Sequence, residues 1–326
     1  MNRRQALVSL VAFGVGPLAA QVKQAGKVWR IGVLRPAPDD DAFRTNFAPF
    51  APALRESGFV EGTNLAFEYR VRPGTSEELL ALANDLVRAK VDAILAIATP
   101  GVTAAAKATT TIPIVAVDLE SDPIAQKLAA SLARPGGNVT GMFLDFPELS
   151  GKWIELLKEA IPKLARAAVL WEPDSGPYLI KGAEAAGGSM RVQIFRHEVR
   201  SPAEFERAFQ SAVAQKVQAV LALSSPMIFS ARKQIADLAL KHRLPTIMPF
   251  PRFADDGGLM AYGPHLTSMF RQAGSVMAKV LLGTRPADIP IERPTRFELT
   301  INMKTAKALG VKIPQSVLVR ADRVIE

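Results

Sequence analysis

Two eleven-residue stretches of the chain, 90–100 and 216–226, are near copies of each other. They read KVDAILAIATP and KVQAVLALSSP and are identical at six positions. Each contains an unbroken apolar run of strand length, which is typical of a strand covered on both faces in a parallel sheet. Each ends in a small hydroxyl residue followed by proline, Thr99-Pro100 and Ser225-Pro226. This pair predicts a helix start, with the hydroxyl as N-cap and the proline in the first turn.

The repeat therefore places a helix start at the carboxyl end of a parallel strand twice. Ligands of open α/β sheets bind at that edge, and the free N–H groups of a helix start favour an anion or a carboxylate. We expect two lobes that face each other across a cleft. A chance likeness is the alternative, because strands of α/β units share their composition.

Length and composition restrict the class of protein. A chain of 326 residues exceeds the usual size of one core, so two domains are expected. The hydrophobic share of 48% and the charged share of 22% are those of a folded protein. The net charge is +9, but the basic residues are scattered without the clustering that a nucleic-acid surface needs. We predict no nucleic-acid partner.

The first 20 residues predict a secretory signal peptide. Arg3 and Arg4 precede a short apolar run, Ala6 to Phe13, and small residues follow it. The arginine pair leaves the twin-arginine route open beside the general one, and an N-terminal membrane anchor is the alternative to export. The sequence has no cysteine, which excludes disulfides, thiolate metal sites and a lipid-bearing cysteine. We expect a periplasmic protein that is not lipid-anchored.

Apolar strand-like runs alternate with helical patterns along the rest of the chain, which is typical of parallel sheets built from βαβ units. The fold prediction is α/β, with two Rossmann-like lobes. The pattern also predicts a helix that Asp122-Pro123 begins and that ends near Arg134, and one long helix from Pro226 to about Arg243.

The sequence lacks the common motifs of catalysis. The three histidines, His197, His242 and His265, lack partners at metal-ligand spacing. No Gly-x-Ser-x-Gly elbow and no Walker loop occur. We predict no catalytic residue, no metal and no cofactor.

Acidic residues follow the fourth predicted strand, and their role has two interpretations. Asp118, Glu120 and Asp122 could present a partner for an ammonium or a hydroxyl of a ligand at the cleft. Alternatively, Asp122 caps a helix and the others are surface charge. Glu172, at the end of a second-lobe strand, is either a polar edge of the cleft or part of a turn.

Other candidate site residues lie at strand ends. Trp171, Phe250 and Tyr262 could stack on a planar ligand, although a core position is the alternative for each. Arg35 ends the first strand. The complete set of predicted ligand-binding residues is Arg35, Thr99, Pro100, Asp118, Ser121, Asp122, Trp171, Glu172, Ser225, Pro226, Phe250 and Tyr262.

Several runs resemble those of a known family, the exported substrate-binding proteins of ATP-driven (ABC) uptake systems related to the tryptophan and aromatic-amino-acid binding proteins. The runs are 121–124 (SDPI), 131–141 (SLARPGGNVTG), 152–159 (KWIELLKE), 257–264 (GGLMAYGP), 294–299 (PTRFEL), 305–310 (TAKALG) and 320–325 (RADRVI).

The resemblance implies a type I periplasmic-binding fold with three crossovers between its lobes. Lobe 1 would comprise 28–144 plus 264–295, and lobe 2 would comprise 145–263 plus 296–326. It further implies a monomer that docks on the membrane subunits of an ABC permease.

The chain departs from the family at the expected cleft. Residues 117–121 read VDLES where the family usually has small residues, and Glu172 stands where an asparagine is common. The cleft is thus more acidic than in relatives. We predict capture of a small carboxylated ligand, aromatic or otherwise amino-acid-like. The alternative is a ligand sensor that serves a membrane receptor, whereas the effector domain of a repressor is disfavoured because the chain has no helix-turn-helix and begins with an export signal.

Overall fold

The computed structural model describes residues 26–144 and 146–326, and the predicted signal peptide at 1–20 lies outside them. The chain forms two sheets. The first has five parallel strands in the order β2-β1-β3-β4-β5. These strands are β1 (Trp29–Arg35), β2 (Leu65–Val71), β3 (Ala93–Ile97), β4 (Ile114–Asp118) and β5 (Val139–Phe143).

The second sheet has seven strands in the order β12-β11-β10-β9-β8-β6-β7. They are β6 (Arg166–Trp171), β7 (Gln193–Glu198), β8 (Ala219–Ala222), β9 (Thr246–Met248), β10 (Met260–Pro264), β11 (Phe297–Asn302) and β12 (Arg323–Ile325). All neighbours are parallel except β10 and β11, where a purely parallel sheet was predicted. We call the first sheet with its helices lobe 1 and the second lobe 2.

Helices cover the sheets. They are α1 (Asp41–Phe47), α2 (Phe50–Arg55), α3 (Ser76–Arg88), α4 (Ala98–Ala108), α5 (Phe146–Ala160), α6 (Tyr178–Ser189), α7 (Phe205–Ala214), α8 (Pro226–Ser230), α9 (Arg232–Lys241), α10 (Arg252–Asp255), α11 (Leu266–Leu281), α12 (Met303–Leu309) and α13 (Gln315–Leu318). The late helix α11 packs on α2 and returns the chain to lobe 1. Among the described residues, no helix is long and apolar enough to cross a bilayer.

The two copies of the repeated stretch occupy equivalent places. Strand β3 lies between β1 and β4, and β8 lies between β6 and β9. Both copies begin with the same helix-ending turn, in which Lys90 and Lys216 each adopt a φ of +55°. The prediction of two α/β units built on this repeat is confirmed.

Three predicted helix features are wrong. Residues 121–135 contain turns in place of a helix, because Lys127 has a φ of +59° and Leu128 N–H bonds back to the carbonyl of Pro123. The long helix after Ser225 is broken at Ala231 into α8 and α9.

The third error concerns Thr99, which does not cap a helix. Helix α4 begins at Ala98, one residue before Thr99 in the chain, where the φ is +61°. Its N-cap is Ile97, which makes no side-chain bond to the helix. The backbone thus turns sharply at the end of β3.

Candidate functional site

A cavity of about 80 Å³ lies between the lobes, at the carboxyl ends of the central strands. One water needs about 10–15 Å³ on this scale, so the space admits several waters or a small organic group. Its polar and charged lining residues are Arg35, Asn46, Glu120, Ser224 and Ser225, and its aromatic ones are Phe43, Phe229, Phe250 and Phe270.

The aromatic walls come from both lobes in edge-to-face pairs. In lobe 1, Phe43 and Phe270 have ring centroids 6.3 Å apart at 77°. In lobe 2, Phe229 and Phe250 are 5.0 Å apart at 83°. Such walls favour a flat apolar group between them.

Below the cavity, Asp118 organises the end of β4. It is fully buried, and its carboxylate accepts bonds from the hydroxyls of Thr99 (2.8 Å) and Ser121 (2.6 Å) and from the N–H of Glu120 (3.0 Å). The Thr99 hydroxyl therefore points toward Asp118 and donates to it, which explains why it does not cap α4. Asp118 holds the loop that presents Glu120.

Glu120 links the two lobes. One of its oxygens, Oε2, accepts the N–H of Thr99 at the start of α4 (3.2 Å). The other, Oε1, accepts the hydroxyl of Ser224 from lobe 2 (2.6 Å). Only 4% of Glu120 is exposed. The cleft is therefore closed over this residue.

Burial and the neighbouring charge of Asp118 raise the pKa of Glu120 to about 8. Burial also raises the pKa of Asp118, although its three hydrogen bonds oppose that effect. Three hydrogen-bond donors stabilise the charged form of Asp118, and two contact Glu120. We therefore assign the one proton of this pair of carboxyl groups to Glu120.

A second glutamate lies at the opposite helix start. Ser225 accepts the N–H of Ile228 (3.0 Å), so its predicted N-cap role is confirmed. Glu172, at the end of neighbouring strand β6, lies near the Ser225 hydroxyl and the Met227 N–H, and burial raises its pKa. In each lobe, a carboxylate of the protein thus occupies the helix start that we expected a ligand carboxylate to reach.

The rim of the cavity carries a second link between the lobes. Asp40 of lobe 1 lies 3.8 Å from Arg35 and 3.8 Å from Arg232 of lobe 2, which also pairs with Asp256 (2.7 Å). Arg35 lies 4.3 Å above the ring of Phe43, and burial lowers its pKa to about 10.

Predicted site residues divide into those at the cavity and those elsewhere. Arg35, Ser225, Pro226 and Phe250 line it. Thr99, Asp118 and Ser121 form hydrogen bonds beneath it, and Glu172 lies near the Ser225 hydroxyl.

The other four predicted residues neither line the cavity nor support it. The carboxylate of Asp122 accepts the N–H groups of Ile124 and Ala125 in its own turn. Pro100 follows Thr99 in the first turn of α4. Trp171 donates its indole N–H to the carbonyl of Gly176 (3.0 Å). Tyr262 stacks on Phe297 and lines a different cavity, beside Leu144 and Arg293 near the crossovers.

Sequence reasoning missed Ser224, Phe229 and Phe270, and considered Glu120 only as one of three acids. Phe229 follows Ser225 by four residues, one helical turn, so the helix-start signal could have found it. No group of three or more metal-ligating side chains occurs within residues 26–144 and 146–326.

Comparison with known proteins assigns the family. The sequence model of the family described as ABC transporter substrate binding protein matches residues 31–325. The chain belongs to this family. Its members are solute-binding proteins, and the resemblance noted in the sequence is confirmed.

Relatives agree with this assignment. A tyrosine-binding protein of Clostridioides difficile (strain R20291) is 26% identical over 265 residues, which cover 81% of this chain and 76% of that protein. A conserved domain protein from Vibrio cholerae is 26% identical with a TM-score of 0.85, over 91% of this chain and all of that one.

Two further solved structures share the fold. The ABC domain in complex with L-Trp from Streptococcus pneumoniae is 24% identical over 92% of this chain and all of that one, with a TM-score of 0.84. The ligand-free, open structure of a substrate-binding protein with adhesive properties from Clostridium difficile is 23% identical over 91% of this chain and 99% of that one, with a TM-score of 0.66.

Proposed function

We propose that this substrate-binding protein captures an amino-acid-like ligand with an aromatic side chain between the lobes, in a cleft that opens wider than the cavity of about 80 Å³ to admit it. The observation that carries the proposal is the pair of aromatic walls around the cavity, Phe43 with Phe270 and Phe229 with Phe250. The lining of the cavity also contains an acidic residue, Glu120, and a basic residue, Arg35. The tyrosine-binding relative and the L-Trp complex support the same ligand class.

Capture proceeds by closure without chemistry. We propose that the lobes are domains, 28–144 plus 264–295 and 145–263 plus 296–326, that move about the three crossovers. Each lobe contributes one aromatic pair, so the ligand contacts both pairs only when the cleft closes. The ligand then stabilises the closed form by its greater affinity for it.

A ligand carboxylate is best placed at Arg35. At the two helix starts, the N–H of Thr99 is bound to Glu120, and the carboxylate of Glu172 already lies near the N–H of Met227. Arg35 is the arginine of the cavity lining, and a guanidinium offers five N–H donors. This moves the expected carboxylate site from the helix starts to the end of β1.

The partners follow from the family. We propose that residues 1–20 direct export, that the protein acts as a monomer in the periplasm, and that the closed form docks on ABC permease subunits. Fractionation of cells that express the whole chain, with mass measurement of the N-terminus, tests export. Retention of the intact N-terminus in the cytoplasm would contradict it.

Thermal unfolding with added amino acids tests the ligand class. At a ligand concentration of 100 times Kd, binding stabilises a protein by about 2.7 kcal/mol, which raises the Tm by several degrees for a chain of this size. We expect this shift with L-tyrosine, L-tryptophan or L-phenylalanine and not with L-leucine or L-glutamate. A shift with the aliphatic or acidic amino acids alone would contradict the proposal.

A further inference from the structure

The acids beneath the cavity have no cationic partner in the part of the chain that the structure describes. Asp118 is fully buried, Glu120 is 4% exposed, and no lysine or arginine forms an ion pair with either. Two neighbouring carboxylates in a buried site cannot both carry charge without a large free-energy cost. In the ligand-free protein a proton on Glu120 removes one of these charges. A cationic group of a ligand would replace that proton, which Glu120 would release to solvent.

The two acids differ in what they can offer a ligand. Asp118 accepts three hydrogen bonds from its own lobe and does not line the cavity. Glu120 lines the cavity, and its Oε1 accepts a hydroxyl of the opposite lobe. The bond from Ser224 must break whenever the cleft opens, so Oε1 is the acceptor that becomes free when a ligand enters.

Arg35 does not supply the missing charge. Its guanidinium donates to the carbonyl of Pro38 and faces Asp40, and it forms no ion pair with Asp118 or Glu120. Strand β3 lies between β1 and β4, so Arg35 and Glu120 follow strands that are not neighbours in the sheet. The cavity therefore has a basic side and an acidic side.

We propose that Glu120 determines specificity for a protonated amine. The ligand's ammonium group binds Oε1 of Glu120 in the place of the Ser224 hydroxyl and becomes the counter-ion of the acid pair. The aromatic rings around it add attraction for a cation. This inference rests on the proposed function and names the group of the ligand that the acidic side selects.

Three compounds that share the 4-hydroxyphenyl group test the amine and the carboxylate of the ligand separately. L-Tyrosine has an amine and a carboxylate, tyramine has only the amine, and 3-(4-hydroxyphenyl)propanoate has only the carboxylate. Their affinities are measured by calorimetry at neutral pH on the wild-type chain and on Glu120→Gln, which keeps the shape of the side chain and removes its charge.

On the wild type, we expect L-tyrosine to bind about 10- to 100-fold more tightly than the propanoate, the factor of one charge-assisted hydrogen bond. Tyramine should also bind more tightly than the propanoate. In Glu120→Gln, the preference for the amine should fall to about threefold or less. Glu77→Gln removes the same charge from the exposed first turn of α3 and should keep the wild-type ratio.

The outcomes are distinct. If the wild type binds the propanoate as tightly as L-tyrosine, or Glu120→Gln keeps the preference for the amine, the role of Glu120 is overturned while the proposed function stands. If none of the three probes binds the wild type, the proposed function fails and the inference fails with it. Equal binding of the propanoate and L-tyrosine by the wild type overturns the role of Glu120 even if the variant does not fold.

Discussion

The hydroxyl oxygen of Ser224 lies 2.6 Å from Oε1 of Glu120, although the two residues are 104 positions apart and belong to different lobes. The same glutamate holds the start of α4 through the N–H of Thr99. One carboxyl group thus joins a helix start of lobe 1 to the strand end of lobe 2. It makes closure of the cleft sensitive to the Ser224 hydroxyl and to the protonation of Glu120.

Replacement of Ser224 by alanine should open the ligand-free protein. Because Glu120 is protonated in the closed form, its bond to Ser224 is one between neutral groups and is worth about 0.5–1.5 kcal/mol. The ratio of closed to open forms should therefore fall about 2- to 10-fold. The measurement is the radius of gyration by small-angle X-ray scattering, which we expect to increase. Ser316→Ala, at an exposed position of α13, is the control. Superimposable scattering of Ser224→Ala and wild type would show that the bond does not maintain closure.

Closure of the ligand-free protein should weaken as the pH rises. In the closed form the pKa of Glu120 is about 8, and in an open cleft the carboxyl returns toward its ordinary value of 4.5. Between these values the closed form binds more protons than the open form, so acid favours closure and the effect is lost as the pH passes 8. The pKa values of Asp118 and Glu172 are raised too and act in the same direction.

Scattering at about pH 5.5 and about pH 9, on either side of this titration, tests the sign. We expect a larger radius of gyration at the higher pH in the wild type and a smaller difference in Glu120→Gln. A radius that decreases as the pH rises would contradict the assignment of the proton to Glu120.

Removal of one aromatic wall should weaken binding of an aromatic ligand. Phe250 packs edge to face on Phe229 at the cavity. The loss of about 1.5–3 kcal/mol of apolar contact in Phe250→Ala corresponds to an affinity about 10- to 100-fold lower. The measurement is the Kd for L-tyrosine by calorimetry. Phe205→Ala is the matched control, because Phe205 is fully buried in the outer core of lobe 2, and its loss should lower the Tm without changing that Kd.

The sequence predicted the architecture because the repeat has two clear physical signals, a buried strand and a hydroxyl-proline helix start. The Ser225 cap follows from its own neighbours, since its acceptor reaches the N–H of Ile228 three residues on. Thr99 has the same local sequence, but its hydroxyl bonds to Asp118 on the next strand. A tertiary contact there overrides the local preference, and local sequence cannot show it.

The same limit applies to the choice among the acids after β4. The sequence placed Asp118, Glu120 and Asp122 together, but the loop has no period that tells which one faces the cleft. Glu120 is distinguished only by Ser224 of the other lobe. Tyr262 was predicted to end a strand, but it is the central residue of β10, which continues to Pro264. It lies at a different cavity, because β10 is separated from β8 by β9 in the sheet.

A glycine explains part of the specific 131–141 run and gives the last prediction. Gly141 pairs with Ala116 between β5 and β4 at a φ of +128°, and an added Cβ would lie 2.2 Å from the Ala116 carbonyl oxygen. Gly141→Ala therefore combines backbone strain with a clash against backbone and should lower the free energy of unfolding by more than about 2 kcal/mol. Gly188→Ala is the matched control, because no atom lies within 4 Å of its added Cβ in α6 and alanine is the better helix former, by up to about 1 kcal/mol. Urea unfolding of both variants should move the midpoint in opposite directions, and a Gly141→Ala midpoint at or above the wild-type value would contradict the argument.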